Sequence, residues 1–498
     1  MPATPDAAAL RPSDPAPRPL QVVLGAVPGL QAQGDLTGVV VTGCTHDSRA
    51  VRPGDLYAAL PGAHVHGAEF LEQALANGAV AVLTDPAGAA SVTAVPALVA
   101  EAPRSVLGQV ASWVHGDPSS SLQVLGVTGT NGKTTTAFLL EAGLRAAGRT
   151  TALLGTVLTR IGDVEVKSSR TTPEATDLHA LFAVMRERGV TAVAMEVSSH
   201  ALAYGRVDGV RFDTSVFTNL SQDHLDFHAD MAAYFEAKAL LFTPERSTRG
   251  LANTDDPAGR RLLQRAAIPL VGYGAEGPWL ASQIQLRADG SSFRFEGPDL
   301  SVPTSVGLPG AFNVSNALAA LACLVTAGVP VLDAVHGVAG LSAVPGRMER
   351  VDAGQPFTAL VDYAHTPDAV RTLLASVRAV TPGRVIVVLG CGGDRDRGKR
   401  PLMGRAAVDG ADLAVLTSDN PRSEDPLAIL AEMGQPDAVI EPDRRTAIAY
   451  AVGKAQAGDT VVVAGKGHES GQELNGFVTP FDDRVVLREA LTALGGPA

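Results

Sequence analysis

One stretch of this chain, GVTGTNGKTT at residues 126–135, constrains its fold more than any other. It follows an apolar run at 122–125 that is typical of a strand, and it precedes the helical pattern of 137–144. The glycines of such a turn let backbone N–H groups close around phosphate oxygens, and the dipole of the following helix favours negative charge. The sequence therefore predicts an α/β fold with a phosphate-binding loop between a strand and a helix.

The side chains of this loop indicate ATP as the ligand. A lysine in the position of Lys133 reaches the β- and γ-phosphates, and a hydroxyl in the position of Thr134 binds Mg²⁺. The spacing G-x-x-G-x-x-G-K-T departs from the general P-loop pattern, which leaves a bare glycine-rich turn as the alternative. Because Gly-Lys-Thr stands at a strand-to-helix junction, ATP is predicted to contact Gly129, Thr130, Asn131, Gly132, Lys133, Thr134 and Thr135.

Length and composition exclude several classes of protein. A chain of 498 residues is too long for one hydrophobic core, so several domains are expected. The net charge of −12 argues against a general nucleic-acid binder, and the three cysteines lack metal or disulfide spacing, which suits a reducing cytoplasm. No apolar run approaches the roughly 20 residues that span a bilayer. Residues 1–20 contain six prolines and are predicted to form a disordered tail.

The first predicted domain, 21–118, alternates short apolar runs with turns. Ser48 lies there in the stretch THDSRAVRPGD, which the residues alone identify only as a polar loop between strands. The elements expected in this domain are a helix at 68–76 and strands at 39–42, 56–60 and 79–83.

The second predicted domain, 119–343, continues from the loop with further strand and helix patterns. Two buried-strand runs there lead to four polar side chains: Glu196, Asn219, Asp223 and His224. Ligands of open α/β sheets lie beyond the carboxyl ends of the strands, so these side chains are expected around the crevice that holds Lys133. A carboxylate and an imidazole beside a phosphate suit Mg²⁺, although each can also be a strand-end residue bonded to a loop.

Two helices of the second domain carry further candidates. The pattern of 231–242 is amphipathic and includes Lys238, which is ordinarily a solvated or paired lysine. A strong helix from 309 to about 327 presents Asn313 and Asn316 on one side, where they either contact an adenine edge or cap the helix.

The third predicted domain, 344–498, has the clearest α/β pattern and is expected to be a Rossmann-like parallel sheet. A basic run, GGDRDRGKR at 392–400, follows one of its strands. A solvated surface is the usual interpretation of such a run, but the flanking glycines and the strand-end position favour an anion site. The strands are expected at 358–362, 385–389, 413–417 and 460–463.

Motifs along almost the whole chain together resemble the Mur ligase family, the ATP-dependent amino-acid ligases of peptidoglycan synthesis. GTNGKTT alone also fits folylpolyglutamate synthases and cyanophycin synthetases, whereas DSRAVRPGD and DNPR point to a ligase that adds the third residue of the peptide. The motifs are DSRAVRPGD, GTNGKTT, RTTPEA, MEVSSHAL, TNLSQDHLDFH, YFEAKALLF, PGRMER, DYAHTPDA, DNPRSEDP and GKGHE.

The resemblance implies three domains: an N-terminal UDP-binding domain, a central ATPase domain and a C-terminal domain for the incoming amino acid. It implies that ATP and Mg²⁺ are used to attach a diamino acid to UDP-MurNAc-L-Ala-D-Glu through an acyl phosphate, since a free carboxylate needs activation. We expect a cytoplasmic monomer without nucleic-acid partners or a membrane span.

The resemblance also implies roles for individual residues. Ser48 is implied to contact the uridine nucleotide, although Tyr204 stands where some members carry a Gln in the nucleotide-substrate contact. Contacts to the muramoyl-dipeptide are implied for Thr171, Thr172, Ser198 and Arg206. Mg²⁺ is implied to bind Glu196, His224 and a carbamylated Lys238. ATP is implied to contact Asn313, Arg347 and Asp362.

The incoming amino acid is predicted to be meso-diaminopimelate, ahead of L-lysine or L-ornithine. Its second carboxylate needs a cationic fork, which the guanidinium of Arg422 in DNPR suits, while Arg395 would hold the other carboxylate. Asn420 and Glu469 are expected to meet the distal ammonium. The alternative is that DNPR is only a turn. Neighbouring residues of the two motifs complete the predicted site: Asp419, Pro421 and Gly465.

Two other functions stay open at this stage. A folate or cyanophycin ligase would share the central and C-terminal domains but lack the N-terminal uridine-nucleotide domain. A non-catalytic ATP-binding scaffold would need no metal site, which Glu196, His224 and Lys238 argue against. No residue stands out as a unique general base.

Overall fold

The computed structural model describes residues 10–166, 168 and 170–494. Within that part of the chain, successive segments form a five-stranded, an eight-stranded and a six-stranded sheet, each flanked by helices. Most neighbouring strands of the three sheets are parallel and buried, as expected when helices cover both faces. The predicted α/β class is confirmed.

The first sheet consists mainly of parallel strands, and only its edge strand is antiparallel. The predicted strand at 39–42 is instead a two-residue strand, Val40–Val41, outside this sheet. The strands in spatial order are Gln31–Gln33, Ala97–Val99, Ala81–Thr84, Asp55–Ala58 and Gly43–Thr45. The helices are Val23–Ala26, Leu71–Ala76, Pro86–Ala89 and Pro103–Val114.

Residues 10–20 are folded against the rest of the chain, so the predicted disordered tail is wrong for them; residues 1–9 lie outside the described residues. Arg18–Pro19 pairs with Val40–Val41 at a sheet edge, where a proline is tolerated. The backbone N–H groups of Ser13 and Asp14 donate to the carboxylate of Glu187 at 3.0 and 3.2 Å. Proline content therefore misled the prediction, because an extended proline-rich segment can be held by such bonds.

The second sheet places the strand Gln123–Thr128 between Ala192–Glu196 and Phe212–Phe217, with both neighbours parallel to it. The carboxyl ends of these strands therefore meet at one edge, which is the edge where the site forms. The strands in spatial order are Val164–Val166, Thr159–Ile161, Thr151–Leu154, Ala192–Glu196, Gln123–Thr128, Phe212–Phe217, Ser247–Asn253 and Leu270–Tyr273.

The helix Lys133–Ala146, which follows the phosphate-binding loop, is locked between the sheet and two later helices, Ala311–Thr326 and Val331–Gly340. A Cβ at Gly337 would meet the backbone of Ala142, so only glycine allows this close approach. The other helices here are Ala175–Glu187, Ser199–Ala203, Met231–Ala239 and Pro257–Arg265. A separate antiparallel sheet contains Leu280–Arg287, Gly290–Gly297 and Leu300–Val306.

The third sheet confirms the four strands predicted for the last domain, with one short strand added at each edge. The strands in spatial order are Glu349–Arg350, Thr358–Asp362, Thr460–Ala464, Val385–Cys391, Leu413–Ser418 and Val439–Ile440. The helices are Pro367–Arg378, Arg400–Gly410, Pro426–Met433, Arg444–Lys454 and Asp483–Leu494, and a hairpin pairs Gly471–Leu474 with Phe477–Pro480.

A buried ion pair joins the last helix to this sheet. Arg444 and Asp483 are both fully buried, and Arg444 Nη2 donates to Asp483 Oδ2 at 2.6 Å and to the carbonyl of Ala464 at 3.0 Å. Across the described ranges, no helix combines the length and the apolar character needed to cross a bilayer.

A buried histidine on the helix Ala175–Glu187 makes stability depend on pH. His179 donates its Nε2–H to the carbonyl of Asp208 at 2.9 Å, and burial lowers its pKa to about 4 from 6.5. Between these values the unfolded chain binds a proton that the folded chain does not, so stability falls as the pH drops from 6.5 towards 4.

We expect His179→Gln, which keeps a side-chain donor but does not titrate, to lose less stability on acidification. Between pH 7.5 and pH 5 the difference should amount to about 2 kcal/mol, from 1.36 kcal/mol for each pKa unit. Denaturant unfolding at the two pH values measures it, with His64→Gln, at an exposed position, as the matched control. Parallel losses in wild type and His179→Gln would contradict the prediction.

Candidate functional site

The loop after the strand Gln123–Thr128 has the backbone that the sequence predicts. Gly129 and Gly132 both have positive φ, 151° and 86°, and the helix begins at Lys133. A Cβ at Gly129 would meet the side chain of Thr218. Lys133 Nζ donates to the carbonyls of Gly129 and Thr130 at 2.9 and 3.0 Å, and burial lowers its pKa. The ammonium is thus held inside the curve of the loop.

A cavity of about 340 Å³ opens beside this loop, and it brings together many of the predicted residues. Residues from the second and third segments of the chain line it jointly, including Asn219 and Asp223, which were predicted around this crevice. Phe312 and Tyr363, which were not predicted, also line it, as does Asn316. The predicted site residues that line it are Thr130, Asn131, Gly132, Lys133, Thr134, Thr135, Thr171, Glu196, Ser198, His224, Arg347 and Asp362.

The carboxylate of Glu196 accepts three hydrogen bonds in the cavity. It accepts from the hydroxyl of Thr134 at 3.0 Å, and from the backbone N–H and hydroxyl of Thr156 at 2.7 and 3.0 Å. The guanidinium of Arg347 in turn donates to the Thr134 hydroxyl at 3.0 Å. Sequence reasoning missed Thr156, since an isolated threonine in a turn carries no recognisable signal.

The residues predicted to hold the muramoyl-dipeptide divide into two groups. Thr171 and Ser198 line the cavity, whereas Thr172 is buried and donates to the backbone carbonyl of Glu196 at 2.9 Å. Arg206 lies outside this cavity and pairs with Glu174 at 2.8 Å beside the ring of Tyr204. The hydroxyls of Thr172 and Ser198 lie 3.5 Å apart, and the contact of the four residues with the dipeptide stays a prediction.

Ser48 is not among the residues that line the cavity. Its hydroxyl donates to Gln73 Oε1 at 2.7 Å, and the residue is buried. Its predicted contact with a uridine nucleotide stays a prediction.

His224 and Lys238 are in environments that favour their neutral forms. Burial lowers the pKa of His224 to about 3, and its backbone has a positive φ of 55°. Lys238 is buried, its Nζ donates to the carbonyl of Gly129 at 2.7 Å, and it lies 4.4 Å from the centre of the Tyr234 ring. Burial, reinforced by the nearby Lys133, lowers the pKa of Lys238 well below its usual value.

The predicted magnesium ligands combine a hydroxyl, a carboxylate, an imidazole and a lysine. The structure describes no cluster of three or more His, Cys, Asp or Glu side chains arranged for a metal ion within residues 10–166, 168 and 170–494. Only two of the four predicted ligands, Glu196 and His224, are of these residue types. The set, which also includes Thr134 and Lys238, stays a prediction.

Two of the residues that the resemblance implies to contact ATP, Arg347 and Asp362, line the cavity, and their contact with ATP stays a prediction. Arg347 stacks 4.2 Å from the centre of the Tyr363 ring, and buried Asp362 accepts from the N–H groups of Met348 and Ala364 at 2.8 Å. Burial raises the pKa of Asp362.

Asn313 does not line the cavity. Its amide donates to the carbonyl of Pro309 at 2.7 Å and accepts from Asn316 at 3.0 Å. The neighbouring Asn316 lies on the cavity wall instead. The three-residue spacing predicted both side chains on one side of the helix. It could not show that the Asn313 amide is occupied by bonds to Pro309 and Asn316.

The residues predicted for the incoming amino acid lie at the strand ends of the third sheet. Asn420 Nδ2 donates to Glu469 Oε2 at 2.8 Å, and Arg422 Nη1 donates to the carbonyl of Gly393 at 2.7 Å. The buried Lys466 donates to Asn420 Oδ1 at 2.8 Å, a contact that sequence reasoning missed. The remaining members of the predicted set are Arg395, Asp419, Pro421 and Gly465.

Two arginines of the basic run at 392–400 are paired with carboxylates, so they are not free to bind an anion. Arg400 is fully buried and pairs with Glu424 at 2.7 Å and Glu432 at 2.8 Å. Arg397 also pairs with Glu432. Glu424 and Glu432 lie beyond the next helix and strand, in the DNPRSEDP motif and on the helix Pro426–Met433. The sequence of the run itself therefore does not reveal these partners. The anion-binding prediction stays for Arg395, which is exposed and donates to the carbonyl of Asp394.

Fold and cavity together define an α/β protein of the P-loop class. Family models match three stretches of it: "Mur ligase family, catalytic domain" at 40–112, "Mur ligase middle domain" at 127–324 and "Mur ligase, glutamate ligase domain" at 346–467.

Full-length relatives agree with these models. A protein of Streptomyces avermitilis named UDP-N-acetylmuramoyl-L-alanyl-D-glutamate--2,6-diaminopimelate ligase is 54% identical over 96% of this chain and 99% of its own length. A protein of Leifsonia xyli subsp. xyli named UDP-N-acetylmuramyl-tripeptide synthetase is 44% identical over 98% of this chain and 99% of its own. The chain belongs to the Mur ligase family, so the predicted family and enzyme class are confirmed.

Solved structures extend the agreement to three dimensions. A structure of a UDP-N-acetylmuramoyl-L-alanyl-D-glutamate--2,6-diaminopimelate ligase superposes with a TM-score of 0.66 at 35% identity, covering 92% of this chain and 96% of that one. The MurF ligase from Thermotoga maritima in complex with ADP gives a TM-score of 0.63 at 19% identity, covering 91% of this chain and 96% of that one, and shows the fold alone.

Replacement of Lys133 tests the phosphate-binding role of the loop. We expect Lys133→Ala to weaken ATP binding by a factor on the order of 10² to 10³, because one positioned charge is lost from a water-excluded site. Calorimetric titration with ATP measures the change, and the melting temperature should stay close to that of wild type. The exposed Lys454, replaced in the same way, is the matched control. Unchanged affinity in Lys133→Ala would show that ATP does not use this loop.

Proposed function

We propose that this enzyme uses ATP to join a diamino acid, meso-diaminopimelate, to the free carboxylate of UDP-MurNAc-L-Ala-D-Glu, a step of peptidoglycan precursor synthesis in the cytoplasm. The observation that carries the proposal is the 54% identity, over 96% of this chain, to a relative whose name states that reaction. The cavity supports it, since Lys133 and Glu196 lie at the edge of the sheet where a phosphate would bind.

The chemistry needs an activated carboxylate. Transfer of the γ-phosphoryl group of ATP to a carboxylate oxygen gives an acyl phosphate and ADP. The neutral amine of the amino acid then attacks the acyl carbon, inorganic phosphate leaves, and the amine loses a proton. Positioning and charge neutralisation dominate phosphoryl transfer, and Lys133 with the helix N-terminus supplies both.

Mg²⁺ fits the donors beside the loop. The hydroxyl of Thr134 and the carboxylate of Glu196 are hard oxygen ligands 3.0 Å apart, and a neutral His224 can add a nitrogen. When bound, Mg²⁺ would offset the negative charge of the triphosphate. The role of this chain would be to hold the oxygens of Glu196 and Thr134 in place. Thr156 donates to the Glu196 carboxylate, and Arg347 donates to the Thr134 hydroxyl.

We propose that the three domains divide the substrates, with boundaries at 21–118, 119–343 and 344–498. The first would bind the uridine nucleotide near Ser48, and the second would bind ATP. The third would bind the amino acid around Arg422, and its Arg347 and Asp362 would close the ATP cavity. Thr171, Ser198 and Arg206 would contact the muramoyl-dipeptide.

Other members of the same class fit less well. The tripeptide synthetase of Leifsonia xyli subsp. xyli carries no amino acid in its name, so L-lysine and L-ornithine stay as alternatives. Folylpolyglutamate synthase of Mycobacterium tuberculosis shares the fold, but it matches only 78% of this chain at 20% identity. The match of a Mur ligase model at 40–112 favours a nucleotide-sugar substrate over folate.

A parallel assay with the three amino acids tests the choice of substrate. With ATP and UDP-MurNAc-L-Ala-D-Glu supplied, we expect meso-diaminopimelate to give a kcat/KM at least about tenfold above L-lysine or L-ornithine, since a missing carboxylate leaves a guanidinium unpaired. Phosphate release coupled to product detection measures it. Faster turnover of L-lysine or L-ornithine would overturn the amino acid and leave the ligase standing.

Carbamylation of Lys238 is a second testable expectation. Its lowered pKa gives a neutral amine, which can add CO₂ to form an anionic oxygen ligand. We expect Lys238→Ala to be inactive and to regain part of its activity with a short added carboxylate such as acetate. Lys454→Ala is the control, and ¹³C NMR after incubation with labelled bicarbonate detects the carbamate directly. A wild-type spectrum without that signal would contradict the expectation.

A further inference from the structure

The hairpin that follows GKGHE is a rigid element beside the DNPR turn. Its strands, Gly471–Leu474 and Phe477–Pro480, are antiparallel and joined at Asn475 and Gly476, whose φ values are 50° and 78°. Two successive residues with positive φ are typical of a type I′ turn, whose twist matches that of the paired strands.

Apolar burial does not explain this hairpin, because Phe477 and Val478 are 77% and 68% exposed. Its polar groups instead bond to the DNPR turn. Gln472 Nε2 donates to the carbonyl of Asp419 at 2.8 Å, and the backbone N–H of Glu473 donates to Asn420 Oδ1 at 3.1 Å. Successive residues of the turn are therefore fixed by successive residues of the hairpin.

The hairpin also fixes the backbone of Arg422. The N–H of Arg422 donates to the carbonyl of Glu473 at 3.0 Å, and the N–H of Asn475 donates to the carbonyl of Arg422 at 2.6 Å. Arg422 has a positive φ of 54°. A residue with a Cβ keeps that conformation only where its surroundings impose it, and here the hairpin does so.

The side chain of Glu473 reaches the guanidinium of the same arginine. Arg422 Nε lies 3.4 Å from Glu473 Oε2, and Nη1 donates to the carbonyl of Gly393. A guanidinium has five N–H donors in a planar fork, so these contacts set the plane of the fork and leave donors for a ligand. If the carboxylate of Glu473 were removed, only one of these two contacts of the Arg422 side chain would remain, the hydrogen bond to the carbonyl of Gly393.

We propose that Glu473 is a positioning residue that orients Arg422 towards the second carboxylate of the incoming amino acid. The inference rests on the proposed function and adds a residue to it. Glu473 is suited to the role because its side chain is 41% exposed, so its replacement removes the contact without emptying a core site. Its bonds to Asn420 Oδ1 and to the N–H of Arg422 come from its backbone and do not involve the side chain.

Steady-state kinetics of the full chain with ATP, UDP-MurNAc-L-Ala-D-Glu and meso-diaminopimelate test the role. We expect Glu473→Ala to raise the KM for diaminopimelate about fivefold, as for the loss of a partly exposed ion pair of about 1 kcal/mol, with the KM for ATP unchanged. Glu473→Gln keeps an oxygen acceptor and should raise the KM for diaminopimelate less than Glu473→Ala does. Glu489→Ala, which breaks an exposed pair with Arg445, is the matched control.

A double mutant separates positioning from a general structural effect. In an Arg422→Ala background, Glu473→Ala should change kcat/KM for diaminopimelate less than twofold, because the group it orients is gone. A KM for Glu473→Ala within twofold of wild type, or an equal loss in both backgrounds, would overturn the inference alone. Wild-type protein that does not use diaminopimelate would overturn the proposed substrate and the inference together.

Discussion

The carboxylate of Glu196 is the group on which the geometry of the cavity depends. Parallel pairing of Ala192–Glu196 with Gln123–Thr128 places Glu196 opposite Val127, directly before the phosphate-binding loop. A buried carboxylate is costly unless donors surround it, and here Thr134 and Thr156 supply them. Since these donors belong to the first turn of a helix and to the turn after a neighbouring strand, one carboxylate fixes the relative position of both.

The same network extends into the third sheet. The hydroxyl of Thr134 donates to Glu196 while it accepts from Arg347, whose guanidinium stacks on Tyr363. The hydroxyl of Thr134 therefore connects the loop to the third segment of the chain, which also contacts the second through Gln222 and Asp396. A ligand that takes the lone pair now used by Arg347 would displace its guanidinium, so binding at this hydroxyl and the position of Arg347 would be linked.

Local sequence patterns were sufficient for the four central strands of the third sheet and for the strand, loop and helix at 123–146, but not for the strand predicted at 39–42. Lys133 and Glu196 lie side by side because the parallel strands of the second sheet bring their carboxyl ends to one edge. Asp362 lines the same cavity from a strand end of the third sheet, and Arg347 lines it from the segment before that sheet's edge strand. The sequence did not reveal contacts between distant residues. Arg400 finds Glu424 and Glu432 at separations of 24 and 32 positions, and Ser13 finds Glu187 at a separation of 174. Composition predicted a disordered tail because it contains no information on such partners.

The buried pair of Arg444 and Asp483 has a consequence for the order of synthesis. All the strands of the third sheet precede Asp483 in the chain, so a ribosome would complete them before the counter-ion of Arg444 exists. Until the last helix emerges, this sheet would have either a hydrated arginine at its strand ends or an unpaired buried charge, which is strongly unfavourable. The third sheet therefore reaches its final packing only after Asp483 has been synthesised, which makes the last helix the closing step of its folding.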